Sequence, residues 1–287
     1  MQNSRAPVAL QRTSGRGRIV VKQSAGRTRI DQLYQEGAAR IRVPDRSHVA
    51  GLEAVIINTA GGMTSDDDLT WQAQAGQSTH LTVTTQACEK VYKADGTPAN
   101  VAVELKIAEH AQLNWLPQET ILFDKAQLSR TITAHLEGDA KLLLVEPIIF
   151  GRRAMRETMQ TGLWRDRWRI FHQGTLVHGE NVRLEGDVAS HLNSLAGLGG
   201  HTTLATLALI GSHAEGKLEG ARSCLANISN VIGGASHWTV EGTSKLIIRM
   251  AAPDGYTLRQ ALIPLINQLA SSPEEKTGGA VPKIWSL

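Results

Sequence analysis

From about residue 34 onward, short runs of β-branched and apolar residues recur, each bounded by Gly, Asp or Asn. Leu52–Asn58, His80–Ala87, Val101–Ile107 and Leu128–Leu136 are examples. Leu128-Ser-Arg-Thr-Ile-Thr-Ala-His-Leu136 alternates imperfectly between apolar and polar positions, which predicts a half-buried strand. Glu137-Gly138-Asp139 is a turn signal and Lys141–Glu146 reads as the next strand, so the pair is expected to form a hairpin. Trp164–Phe171 and Thr175–Leu184 predict a second hairpin around Gln173-Gly174.

Helical periodicity is scarcer and comes late. In Glu215–Asn230, the residues Leu218, Ala221, Cys224, Leu225 and Ile228 share one face. In Tyr256–Ala270, Leu258, Leu262, Leu265, Ile266 and Leu269 are in helical register, with Pro264 expected to kink the segment. Leu192–Ile210 is apolar, Gly-rich and short of charge, and its pattern assigns no element. If exposed, it would form a patch that needs cover, and the chain would depend on partners for solubility. Residues 271–281, rich in Ser, Pro, Glu and Gly, read as a loop. Many short strands and two late helices predict a mainly β architecture.

Composition adds limits. The 287 residues allow one large domain or two small ones. The balance of 30 Lys and Arg against 27 Asp and Glu gives a net charge of +3, too even for nucleic-acid binding. Charge is concentrated only at the start, where Arg5, Arg12, Arg16, Arg18, Lys22, Arg27 and Arg29 precede the first acid, Asp31. Residues 1–30 are therefore expected to be a basic, flexible arm ahead of a single domain over 31–287. Two separated cysteines, Cys88 and Cys224, fit free thiols in a reducing compartment. No apolar segment follows the basic start, and none has membrane-spanning length, so a cytoplasmic, soluble protein is expected.

The common phosphate, dinucleotide, hydrolase-elbow and zinc-protease motifs are missing. The most unusual local feature is Asn58-Thr-Ala-Gly-Gly-Met-Thr-Ser-Asp-Asp-Asp68. Gly61-Gly62 permits backbone angles closed to other residues, and Asp66, Asp67 and Asp68 then crowd the loop with oxygen ligands. An acidic surface turn, a carboxylate cap and a metal or partner role all fit that pattern. His172 and His178 flank the second turn and are candidates to face each other as a metal pair. Glu146 sits within an apolar strand and needs a partner, for which Arg152, Arg153 and Arg156 are the nearest cations.

Six segments in order resemble the UreD family of urease accessory proteins, also called UreH. Asp31–Pro44 is similar to the family's Leu-Tyr-Gln-x-Gly opening, and Asn58–Leu69 to its Gly-rich, Asp-containing loop. Thr84-Thr-Gln-Ala-Cys-Glu-Lys-Val-Tyr92 and Trp115-Leu-Pro-Gln-Glu-Thr-Ile-Leu-Phe123 match two further motifs. Glu146 to Arg152 and Val281-Pro-Lys-Ile-Trp285 complete the set. The family's Gly-Gly-Asp is here Ser65-Asp66-Asp67.

The resemblance implies a stacked, β-helix-like β scaffold with a small helical part near the C-terminus, and no catalysis. It implies binding to apo-urease and UreF, with UreG recruited through UreF. It also implies Ni²⁺ in transit, with no cofactor held stably, along a polar passage through the scaffold. Candidates to line that passage are Asp66, Asp67, Asp68 and Glu146. Gln118, Glu119 and Arg152 are candidate tunnel or core polar groups, and Gly61 and Gly62 shape the loop. Trp115, Leu116, Ile121, Leu122 and Phe123 are expected in the core. Two other readings stay open: a metal-dependent hydrolase using Asp66–Asp68, and a purely structural adaptor.

Overall fold

The computed structural model describes residues 12–44, 51–152, 155–270 and 281–286. The chain opens with an antiparallel hairpin of β1 (Ser14–Ser24) and β2 (Arg27–Gly37), followed by β3 (Ala39–Arg42). It then winds between two facing sheets. β4 (Leu52–Asn58) lies in one sheet, β5 (Asp68–Ala75) in the other, and β6 (His80–Thr85) in the first again. After the short β7 (Glu89–Val91), β8 (Ala99–Ile107) and β9 (Gln112–Leu116) repeat the circuit. β10 (Thr120–Leu122), β11 (Gln127–Leu136), β12 (Lys141–Phe150) and β13 (Thr161–His172) carry it on.

Strands one circuit apart pair in parallel: Asp68 lies beside Asn100, Asn100 beside Ser129, and Ser129 beside Arg165. The result is a β-solenoid of about four turns, the mainly β, β-helix-like scaffold that the resemblance implied. β14 (Thr175–Asp187) turns back on β13, and α1 (Val188–Asn193) follows. β15 (Thr203–Ile210) pairs antiparallel with β12, and β16 (Ile232–Val240) and β17 (Thr243–Ala252) extend the same sheet. α2 (Leu218–Ala226) and α3 (Gly255–Ala270) pack on that sheet's outer face.

This layering explains the long apolar run of β12. Leu142 and Leu144 face the solenoid interior, while Leu143 and Val145 face α3 through Leu258, Leu262 and Leu265. A strand covered on both faces loses its alternation. Every α3 residue predicted to share a face is buried, and the helix runs through Pro264. The earlier predicted helix is shorter than its periodicity, with a 3-10 turn at Glu215–Lys217 and α2 ending at Ala226.

Three expectations fail for physical reasons. The basic arm does not extend past Ser14: β1 hides Gly15, Gly17 and Ile19 and turns Arg16 and Arg18 outward, an alternation that glycine on the inner face conceals in the sequence. Arg5 and the rest of residues 1–11 lie outside the described residues, as does most of the 271–281 loop. Leu128–Leu136 and Lys141–Glu146 are strands but not a hairpin, because they enter opposite sheets. Their turn is a solenoid corner, where Gly138 (φ 53°) takes the left-handed conformation that Ser78 (56°), His110 (59°) and Gln173 (48°) take on other coils. Only the second predicted hairpin, β13 with β14, is one. Leu192–Ile210, finally, divides in two: residues 193–200 are exposed apart from half-buried Leu198, with Leu195, at 96%, the segment's exposed large hydrophobic, whereas its most apolar part is β15, which lies between β12 and β17 with Leu207, Ala208 and Ile210 fully buried. The reason given for poor solubility therefore falls.

Candidate functional site

The hydrophobic interior is divided. One cluster contains Trp71, Val103, Trp115, Ile132 and Trp168, and another contains Met63, Leu69, Leu122, Leu128 and Phe150. Charged side chains lie between them. Alternation on β11 places Leu128, Arg130, Ile132 and Ala134 on the inner face, and on β13 it does the same for Trp164, Asp166 and Trp168. Arg130 and Asp166 are register partners on these adjacent strands. The Arg130 guanidinium grips Asp166, its Nε donating at 3.1 Å, and reaches across to Glu146 on β12 of the facing sheet. Trp115 Nε1 donates to Glu146 at 2.9 Å and Trp168 Nε1 to Asp166 at 3.0 Å.

All three charged residues are at most 5% exposed. One cation thus faces two buried carboxylates. Burial pushes the Glu146 carboxyl up to about 7, the Arg130 charge opposes this, and the Asp166 charge adds to it.

Glu146, Arg130 and Trp115 form one wall of a cavity of about 50 Å³. Its other polar walls are Thr85, Gln118, Thr120 and Glu89, with Met63, Leu69 and Val103 among the apolar ones. Glu89, on β7, accepts from Asn58 Nδ2 at 3.2 Å. Its carboxyl is raised from an ordinary 4.5 to about 7, chiefly by burial. Because the folded state holds this proton more tightly, Glu89 makes stability fall as pH rises from about 4.5 to about 7. Glu89→Gln removes that decline. Relative to the natural chain, the variant is expected to gain roughly 1–3 kcal/mol between pH 5 and pH 8; urea unfolding at the two pH values checks this.

Beside the cavity, Gln118 donates to the Thr85 carbonyl at 3.0 Å and accepts from Arg259 of α3 at 3.0 Å. Arg259 also holds Glu119, Nε to Oε1 at 3.0 Å. Cys88 Sγ donates to the same carboxylate at 3.3 Å, and burial followed by the Glu119 charge pushes this thiol up to about 12. Trp285 Nε1 donates to Thr84 at 3.0 Å and places the C-terminal segment against the same region. Gln118 and Glu119 are buried here, as are Trp115, Leu116, Leu122 and Phe123, whereas Ile121 is only half-buried.

The acidic loop separates into three roles. Asp67, 3% exposed, accepts the backbone N–H groups of Thr13 and Thr64, each at 2.7 Å, and so ties the loop to the start of β1. Asp66 points outward to Arg12 at 3.6 Å, and Asp68 is exposed at the start of β5. Gly62 is required: a Cβ there would lie 2.3 Å from the Tyr92 ring and 2.9 Å from the Lys90 carbonyl. Gly61 has φ 77° and accepts from the Tyr92 hydroxyl at 3.1 Å.

Other expected pairings do not form. Arg152 binds Glu157 rather than Glu146 and lies over Phe123, Arg156 is exposed, and Arg153 lies outside the described residues. Glu146 takes its cation from the facing sheet because its own strand points it inward. His172 and His178 are not cross-strand partners: His172 pairs with Thr175 and reaches the Gly138 carbonyl, and His178 pairs with Ile170. Among the described residues, no three His, Cys, Asp or Glu side chains gather as a metal site. The sequence reading missed Arg130, Asp166, Arg259 and Glu89. The first two had a signal, since they are the charges that spoil the alternation of β11 and β13.

Residues 13–286 match the family described as UreD urease accessory protein. The chain belongs to the UreD family. Over nearly its whole length it is similar to the urease accessory protein UreD of Sinorhizobium medicae, with 46% identity covering 98% of this chain and 99% of that one. The Agrobacterium fabrum protein of the same name is 47% identical, covering 100% and 95%, and that of Chelativorans 41%, covering 100% and 98%. UreD proteins are accessory factors in urease maturation and not catalysts. Five of the six segments that carry the UreD resemblance contribute to this region, through Asn58 and Gly62, Thr85 and Glu89, Trp115 and Gln118, Glu146 and Trp285.

Proposed function

We propose that this UreD chain is a scaffold that binds UreF, UreG through UreF, and apo-urease in the cytoplasm, and that its polar interior passes Ni²⁺ toward the urease site. The observation that carries the reading is the run of interior carboxylates, half-buried Glu89 and buried Glu146 on one cavity with buried Glu119 and Asp166 beside it, between the apolar clusters of the solenoid. A conduit must attract a divalent cation and release it, so carboxylates already engaged by Asn or Arg suit it better than a closed site. Carboxyls that titrate near 7 exchange a proton for the metal at neutral pH. No helix among the described residues is long and apolar enough to cross a membrane.

In this reading Glu89 joins Glu146 as a transit group. Asp67 shapes the entry loop, and Asp66 and Asp68 are left for the mouth of the path. A hydrolase centre on Asp66–Asp68 gains no support, because the three carboxylates diverge. Glu146→Gln and Glu89→Gln, in complexes with UreF, UreG and apo-urease, test the reading. Folding and pull-down are expected to be unchanged, while urease activation at limiting nickel falls several-fold and excess nickel restores part of it. Normal activation by both variants and by their combination would leave only the structural adaptor.

A further inference from the structure

Among the described residues, the strand path of each sheet ends in two strands that pair on one side only. β2 carries Arg27, Arg29, Asp31 and Glu36, β3 carries Arg40 and Arg42, and β14 carries Glu180, Arg183, Glu185 and Asp187. Charges along an edge discourage pairing with another chain. β16, Ile232-Gly-Gly-Ala-Ser-His-Trp-Thr-Val240, has none. Among the described residues it pairs only with β17, and it exposes Ile232 at 53% and Trp238 at 41%. The strand is regular over all nine register pairs, so its outer edge is a continuous ladder.

We infer that β16 pairs antiparallel with β16 of a second copy of this chain, about a two-fold axis through Ser236. The strand is complementary to itself in that register. Ser236 meets Ser236, Ala235 meets His237, Gly234 meets Trp238, and Ile232 meets Val240. Gly234 and Trp238 lie on one face, opposite Arg249 and Lys245 of β17. Nothing lies within 4 Å of where a Gly234 Cβ would stand, so the space above it is open for the indole of the other copy. Symmetry makes that contact twice.

The hydrogen bonding fits the same register. Arg222 Nη2 donates to the Ala235 carbonyl at 3.4 Å, so that oxygen points away from β17. By alternation, Gly233, Ala235, His237 and Thr239 present their backbone groups to the edge, and these are the residues that would exchange bonds across the axis. Ser236 is then a non-hydrogen-bonded pair with itself. Arg222 covers one of these acceptors and must release it for pairing.

Cysteine crosslinking of the full chain tests the register. Across a non-hydrogen-bonded antiparallel pair the Cα atoms are about 4.5 Å apart, within disulfide reach. Ser236→Cys is expected to give a disulfide-linked dimer on a non-reducing gel, in purified protein or oxidised lysate, with no such band from the natural chain. Thr239→Cys, roughly 20 Å from its copy at ~3.4 Å per residue, is expected to give none. By sedimentation, the natural chain should approach twice its 31.0 kDa mass as concentration rises. Ser236→Lys, which sets two ammonium groups on the axis, should stay monomeric, and Arg222→Ala should dimerise more readily. A natural chain monomeric at every concentration, equal crosslinking at 236 and 239, or a Ser236→Lys variant that sediments like the natural chain would each overturn the inference.

Discussion

Replacing Arg130 with Met is expected to cost about 3–5 kcal/mol of stability, the usual loss when one member of a buried ion pair is removed. The guanidinium is the shared partner of Glu146 and Asp166, and all three are nearly inaccessible. Met keeps much of the aliphatic volume, so the loss reports charge more than packing. Two carboxylates would then face each other in a low-dielectric interior and be forced to take up protons. The deficit should therefore shrink as pH falls, since protonation relieves the unpaired charge. Adding Glu146→Gln and Asp166→Asn to Arg130→Met should recover part of the loss, because both amides still offer an oxygen to Trp115 and Trp168. Denaturant midpoints at pH 5 and pH 8 measure both effects. An Arg130→Met variant as stable as the natural chain would mean that the two carboxylates find other partners or water.

Much of this fold was legible locally. The strands at Leu52–Asn58, His80–Thr85, Val101–Ile107 and Leu128–Leu136, the β13–β14 hairpin and the buried face of α3 all follow from short-range pattern. What pattern could not supply was which strands become neighbours. In a solenoid, sheet partners lie a whole coil apart, and the coils here are unequal: Asp68, Asn100, Ser129 and Arg165 are successive partners at different spacings. A turn signal such as Glu137-Gly138-Asp139 looks the same at a hairpin and at a solenoid corner.

The candidate site shows the same division. Glu146 was recognisable as a carboxylate in an apolar strand that needed a cation. The nearest arginines in sequence were the wrong choice because they follow the end of β12 at Phe150, where Arg152 takes Glu157, whereas Arg130 faces Glu146 across the sandwich. Asp67 was read by its position in a motif. One of its two backbone hydrogen bonds comes from Thr13, just before β1, a strand that the sequence concealed behind arginine and glycine; the other comes from Thr64 in its own loop. Asp67→Ala consequently cannot serve as a structurally silent probe of metal transit.

The most direct test of nickel transit closes the interior without touching a carboxylate. Val103, on β8, is 2% exposed and lines the cavity, with Trp71 and Ile132 as its register neighbours. Val103→Phe extends a ring into that space at an overpacking cost of about 1–3 kcal/mol. Thr131→Phe, exposed on the outer face of neighbouring β11, adds a similar bulk where no passage exists. Both variants would be assembled with UreF, UreG and apo-urease, checked for folding by thermal melt and for association by pull-down, and assayed for urease activation at limiting nickel. Val103→Phe is expected to remain folded and associated while activation falls to near the level without the accessory chain, with Thr131→Phe behaving like the natural protein. Normal activation by a folded, associated Val103→Phe complex would contradict passage of the metal through this cavity.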